Sequence, residues 1–327
     1  MIKIRAGVGI AFLALCVCLA AFSIGANAQS YPNRAVRVIV PFPPGSGVDI
    51  VTRIVTPRLG EALGQQFIID NRGGAGGIVG AEVAAKAPPD GYNLFMGTAG
   101  VLTVVPVMSK VSYNVARDFA PISLLASVPS MLVVHPAMPV KSLRDLIALA
   151  RAKPGFINYA STGSGTLPHL AAEFFKVQAK IDIVHVPYKG SAPAMTDLLG
   201  GNVDIFFGNM LSVMPQVKSG KLRAIAVTSL QRSPAAPEVP TVAESGFSGF
   251  EAGTWFGMLA PAAAPRDVVA KLHAEIVKAL RQPDTRQRLA SQGASAIGNT
   301  PGEFTAYISS EMEKWSKVLK AAGVKAE

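Results

Sequence analysis

Two short loops carry the residue types that bind anions. The first, Pro41–Asp49, reads Pro-Phe-Pro-Pro-Gly-Ser-Gly-Val-Asp and follows the β-branched run Val36–Val40. It opens straight into a helical pattern, so its backbone N–H groups stand at the positive end of a helix dipole, where a carboxylate or phosphate is favoured. The second loop, Ser161–Thr166, repeats that layout with Ser-Thr-Gly-Ser-Gly-Thr between a short strand and a helix. Facing each other, the two loops make a clamp. Phe42, Pro44, Gly45, Ser46 and Asp49 are its candidate ligand-binding residues on one side, and Ser161, Gly163, Ser164, Gly165, Thr166 and His169 on the other. Thr98 and Ala99, after a third strand, and Tyr188, in a loop after a fourth, are further candidates from their positions. These side chains are mostly small and neutral. Recognition would rest on backbone N–H and hydroxyl groups, which hold an anion without activating it.

Catalytic signatures do not accompany the loops. The nucleophile elbow G-x-S-x-G is missing, because Ser46 and Ser164 sit in other glycine spacings. Gly73–Gly80 approaches a dinucleotide fingerprint, but its last glycine falls one residue late, and a Gly-rich turn that lets a helix approach a strand is the plainer reading. His135, His169, His185 and His273 are too far apart for a local metal motif, so neither metal nor cofactor is expected. Asp49 lacks a partner carboxylate and reads as a first-turn acid that favours the helix dipole. An exported α/β enzyme would need a nucleophile or acid–base set that is not visible here.

The first thirty residues combine Lys3 and Arg5, an apolar run from Gly7 to Ile24, and Ala26-Asn27-Ala28 before Gln29. That is the pattern of a secretory signal peptide, with cleavage expected after Ala28; the apolar run is also near the length of a membrane anchor. Cys16 and Cys18, the two cysteines of the chain, fall inside it, so the exported protein has none and must rely on an ordinary hydrophobic core. The net charge of +10 includes Lys3 and Arg5. The remaining Lys and Arg are scattered, without basic runs or interleaved aromatics, which argues against nucleic acid as a partner.

Short β-branched runs alternate with helical patterns along the rest of the chain, as in parallel α/β sheets. Val36–Val40, Gln66–Ile69 and Asn93–Met96 form one series of strands. Leu132–Val134, Phe156–Tyr159, Ile183–Val186, Val203–Phe207 and Ala224–Val227 form another, interleaved with helices over Leu143–Ala152, Leu167–Ala179 and Ala192–Leu199. Two amphipathic stripes follow, one from Val268 to Leu280 and one from Phe304 to Leu319; Thr300-Pro301 with Glu303 caps the second. Phe119–Leu125 and Trp255–Pro261 read as crossing strands. The expected architecture is therefore two α/β domains with a ligand cleft between them: residues 29–126 plus 255–327, and residues 127–254.

With these elements placed, the chain resembles the Bug-type receptors of tripartite tricarboxylate transporters, which are periplasmic substrate-binding proteins. The resemblance rests on motifs in order along nearly the whole chain: Tyr31-Pro32, Val40-Pro41-Phe42, Asp70-Asn71-Arg72 with its glycines, and Asp90-Gly91-Tyr92. Gly163-Ser164-Gly165 with His169-Leu170, Val186–Gly190, Leu199–Asp204, Gly220–Ala224, Val239-Pro240-Thr241 with Glu244, and Trp255-Phe256-Gly257 complete it. It implies a periplasmic-binding-protein-like fold that closes on a small organic acid, a periplasmic location, a membrane permease as partner, no chemistry and a monomer. A sensor that reports the same acid to a signalling partner fits these residues too. The family's first loop usually has two adjacent glycines; Gly45-Ser46 departs from that pattern.

Overall fold

The computed structural model describes residues 31–322; the signal-peptide reading of residues 1–28, with Cys16 and Cys18, lies outside them. In chain order come β1 (Val36–Val40), α1 (Gly47–Leu63), β2 (Phe67–Asn71), α2 (Ile78–Ala85) and β3 (Asn93–Thr98). Then follow α3 (Val105–Met108), α4 (Val115–Asp118), β4 (Phe119–Val134), α5 (Leu143–Ala152), β5 (Asn158–Ser161) and α6 (Leu167–Ala179). Next are β6 (Val184–Pro187), α7 (Ser191–Leu199), β7 (Ile205–Asn209), α8 (Met210–Lys218) and β8 (Arg223–Val227). The last elements are β9 (Gly253–Pro261), α9 (Arg266–Arg281), α10 (Pro283–Ala290), β10 (Ser295–Ala296) and α11 (Pro301–Ala322).

The strands pair in the order β2-β1-β3-β9-β4-β7-β5-β6, with β8 and β10 each bonded to β4. β1 pairs in parallel with both β2 and β3. Covered on both faces, it buries Val36, Val38, Ile39 and Val40, as an interior parallel strand of β-branched residues must. β5 likewise lies parallel to β6 and β7. β4 joins the two sets: its register runs against β9 from Phe119↔Pro261 to Pro129↔Gly253, then against β7 from Ser130↔Asn209.

Each set of strands has its own core. Ile39, Phe95, Leu102, Leu124, Trp255 and Phe304 belong to the first; Leu132, Tyr159, Phe175, Phe207 and Phe250 belong to the second. The apolar stripe of α11 supplies Phe304, Ile308 and Trp315 to the first core, and its start is fixed by a capping box in which Thr300 N–H donates to Glu303 and Glu303 N–H donates to Thr300 Oγ1. From Arg34 onward the described chain is one compact unit.

Three expectations change. The sheet is mixed rather than parallel, because β9 and β4 run antiparallel to their neighbours. The crossing in β4 falls at Pro129–Ser130, beyond Phe119–Leu125, since its hydrogen-bond ladder stays with β9 until Pro129. Trp255–Pro261 remains between β3 and β4; the return crossing is just before it, where Ala252 N–H donates to Thr228 O and Gly253 begins the ladder with Pro129. Helix α8 was not expected at all. Pro215 inside it removes one N–H from the helical ladder and masks the apolar spacing of Met210, Leu211, Val213 and Met214.

Candidate functional site

A cavity of about 50 Å³ lies where the two strand sets meet. Four helices begin at its wall. Ser46, Gly47 and Val48 bring the start of α1; Thr166, Leu167 and Pro168 that of α6; Ser191 that of α7; and Asn209 the residue before α8. Each helix follows a strand, and the loops at the carboxyl ends of β1, β5, β6 and β7 bring four helix starts to one space. This is where open α/β sheets place ligands. The N-caps of α1, α6 and α7 bear no side-chain capping bond. Ser130 on β4, with Thr254 and Phe256 on β9, closes the wall at the crossing.

No Lys, Arg, His, Asp or Glu is among the lining residues. Positive potential therefore comes from helix starts, and direction comes from hydroxyls on Ser46, Thr98, Ser130, Thr162, Thr166, Ser191 and Thr254. Phe42, Val48, Leu167 and Phe256 add apolar surface that excludes water. The site can hold a small anion with an apolar body; it offers no general base and no nucleophile with access to one.

Of the expected residues, Phe42, Ser46, Thr98 and Thr166 reach the cavity wall. The others stand behind it or outside it. Pro44 and Gly45 are exposed at the loop tip. Asp49 is buried and points back into the loop, accepting from Gly45 N–H at 2.9 Å, Arg53 Nε at 2.8 Å and Asn71 Nδ2 at 3.0 Å. Burial pushes its carboxyl pKa up, but those bonds outweigh burial and hold it below the usual carboxylate value. Asp49 thus positions the loop; Asn71 also donates to Phe42 O at 2.8 Å and ties β2 to the same turn. Ala99 is buried just behind Thr98, and its carbonyl accepts from Thr103 Oγ1.

The second loop is braced in a similar way. Ser161 Oγ accepts from Gly163 N–H at 3.1 Å and lies 2.6 Å from His185 Nε2. His169 Nδ1 accepts from Gly165 N–H at 3.2 Å, and its ring stacks on His185 at 4.2 Å between centroids. Burial, then His169, then Lys176, pushes His185 down to about 4, so the ring is neutral at pH 7. This serine–histidine pair is not a nucleophile: Ser161 is fully buried and does not line the cavity. Tyr188 turns away as well, donating to Asp197 Oδ2 at 2.7 Å. Ser164 is exposed, but its carbonyl sits 3.2 Å from where a Cβ on Gly76 would lie, so this loop touches the Gly-rich turn of the first strand set.

That Gly-rich turn is used for packing. A Cβ on Gly80 would lie 2.6 Å from Pro41 Cα, so α2 approaches β1 only because the residue is glycine. Sequence reasoning did not assign Ser130, Ser191, Asn209, Thr254 or Phe256 to the site. Asn209 carried a usable signal, an N-cap residue directly after a strand, and its Oδ1 does accept from Ser212 N–H at 3.1 Å. Ser130 and Thr254 carried none, since only strand register brings them to the cavity. Among the described residues, no group of three or more His, Cys, Asp or Glu could hold a metal ion, and no helix is long and apolar enough to cross a membrane.

This geometry has known counterparts. The profile of the "Tripartite tricarboxylate transporter family receptor" matches residues 51–324. The periplasmic binding protein BugD superposes with a TM-score of 0.87 at 34% identity, over 91% of this chain and all of the other. A Rhodopseudomonas palustris protein solved with adipate gives 0.88 at 36% identity, covering 90% and 99% of the two chains. MatC from Rhodopseudomonas palustris, solved with bound malate, gives 0.84 at 32% identity, covering 88% and 100%.

Proposed function

Because the chain belongs to the tripartite tricarboxylate transporter family of receptors, we propose that it captures a small carboxylate between two lobes and delivers it to the membrane permease of such a transporter. Receptors of this family are periplasmic solute-binding proteins rather than enzymes. The observation that carries the reading is the convergence of four helix starts, from both strand sets, on one cavity without a charged side chain. Adipate and malate in two relatives are the class of ligand that such donors suit.

The lobes of this reading turn about the crossings at Pro129–Ser130 and Ala252–Gly253, one lobe made of the chain before the first crossing and after the second, the other of the chain between them. The open form admits the acid; contacts from both lobes favour the closed form, which the permease then reads. Ligand binding selects that state by its differential affinity for it. Export through a cleaved signal peptide and action as a monomer belong to the same proposal.

The test is thermal unfolding of the protein, refolded to strip carried-over ligand, against malate, adipate, other small acids and the neutral amide of each. Ligand at about 100 times its Kd adds roughly 2.7 kcal/mol of stability. A rise in Tm with an acid and not with its amide supports the reading. No rise with any acid overturns the carboxylate assignment. Co-purification of the loaded protein with a histidine kinase in place of a permease would overturn delivery.

A further inference from the structure

Ser46 stands at the N-cap of α1, where a serine hydroxyl ordinarily accepts an amide of the first turn. It does not do so here: the N-cap makes no side-chain hydrogen bond, although its backbone is extended at φ −71° and ψ 156° as a cap requires. The side chain is only 3% exposed, and it lines the cavity. Among the described residues, two buried side-chain polar atoms lack a partner, Ser46 Oγ and Thr285 Oγ1, and of these Ser46 alone is on the cavity wall. Two other wall hydroxyls are engaged within the protein: Thr98 Oγ1 accepts from Val101 N–H, and Thr166 Oγ1 donates to Gly163 O.

We propose that Ser46 is a ligand-binding and affinity-setting residue, whose hydroxyl donates to a carboxylate oxygen of the captured acid. The inference rests on the carboxylate reading above and adds a side-chain donor to it. A buried hydroxyl without a partner is destabilising, so the folded protein bears that cost until something in the cavity accepts the O–H. The positive end of α1 beside it repels a ligand ammonium and attracts an anion, which selects an acceptor rather than a donor. A carboxylate bonded to the first amides of α1 lies next to Oγ and completes a set made of backbone N–H groups and one hydroxyl.

This role and a capping role predict opposite behaviour for Ser46→Ala. A cap lost to alanine lowers the Tm of the ligand-free protein. A binding hydroxyl lost to alanine leaves that Tm unchanged or raises it, because an unpartnered buried group has gone, and instead weakens the acid. A hydrogen bond to a charged group corresponds to about tenfold or more in Kd. The experiment is therefore the Tm of ligand-free wild type and Ser46→Ala, followed by calorimetric titration of both with each acid that stabilises the wild type, malate and adipate first. An unchanged or raised Tm with tenfold weaker binding supports the proposal. A fall in ligand-free Tm, or equal affinities, overturns it while leaving the carboxylate reading intact. If no acid binds the wild type, both fall.

Discussion

Gly47, at the start of α1, and Asn209, at the end of β7, meet across the cavity so closely that a Cβ on Gly47 would lie 2.5 Å from Asn209 Oδ1. The two residues belong to different strand sets, so their contact measures how near the sets have come. Leu167 and Leu170 tell the same story, since they begin a helix of the second set and pack into the core of the first. The close approach of the two sets at this point is therefore built on the absence of a side chain at residue 47.

Gly47→Ala should hold the two sets apart. Overpacking of this kind costs about 1–3 kcal/mol, which here falls on the closed state alone. Affinity for the acid is expected to drop roughly tenfold to a hundredfold, while the ligand-free Tm stays within a degree or two. Titration calorimetry and small-angle scattering check this together; a variant that binds normally and compacts normally on ligand addition would refute it.

Asp49→Ala should loosen the first loop from behind. It strips bonds from the Gly45 amide, Arg53 and Asn71 at once, and leaving such groups unpartnered costs about 1–3 kcal/mol each when they are buried. Arg53 is half exposed and Gly45 is exposed at the loop tip, so water replaces much of what they lose and Asn71 carries most of the effect. The pH dependence has a definite sign. The folded carboxyl titrates below the unfolded value of 3.8, so its stabilisation is complete above about pH 4 and disappears as pH falls through the lower, folded value. Urea unfolding at pH 7 and pH 3 should show a gap between wild type and Asp49→Ala that narrows in acid.

His185 gives a dependence of the same sign at higher pH. Its folded pKa of about 4 lies below the ordinary histidine value of 6.5, so as pH falls from 6.5 the unfolded chain takes up a proton that the folded ring refuses. Stability from this group declines through that window and levels off near pH 4. The groups facing the ring are Ser161, Tyr159 and His169, with Lys176 adding repulsion. His185→Gln should flatten the part of the Tm curve between pH 6.5 and 4. An unchanged slope would mean that the ring is not held neutral.

Several elements were readable from residue pattern alone. Helix α5 over Leu143–Ala152 and helix α6 over Leu167–Ala179 form with the bounds that their apolar spacing predicts, and Thr300 with Glu303 caps α11 as expected. Strand edges at Gln66 and Phe156 moved by one or two residues, because ladders and not β-propensity decide where pairing ends. At the cavity, Phe42, Ser46 and Thr166 were nameable since each sits in a loop between a strand and a helix, and Thr98 since it ends strand β3. Asp49, Ser161 and His169 carry the right chemistry beside the right loops, yet their side chains turn inward to brace those loops, and Tyr188 turns away to Asp197.

What the amino-acid sequence determined by itself was local: alternation of strands and helices, the glycine and hydroxyl content of the loops, and helix starts able to attract an anion. Those follow from spacing over a few residues, through dipoles, caps and side-chain period. Only the tertiary structure decided that Ser130, Thr254 and Phe256 face the same space as Ser46, and that Asn209 closes on Gly47. These residues lie far apart in the chain, and the register of β4 with β9 and β7 brings them together. Register is a property of paired strands, so no single stretch of sequence contains it.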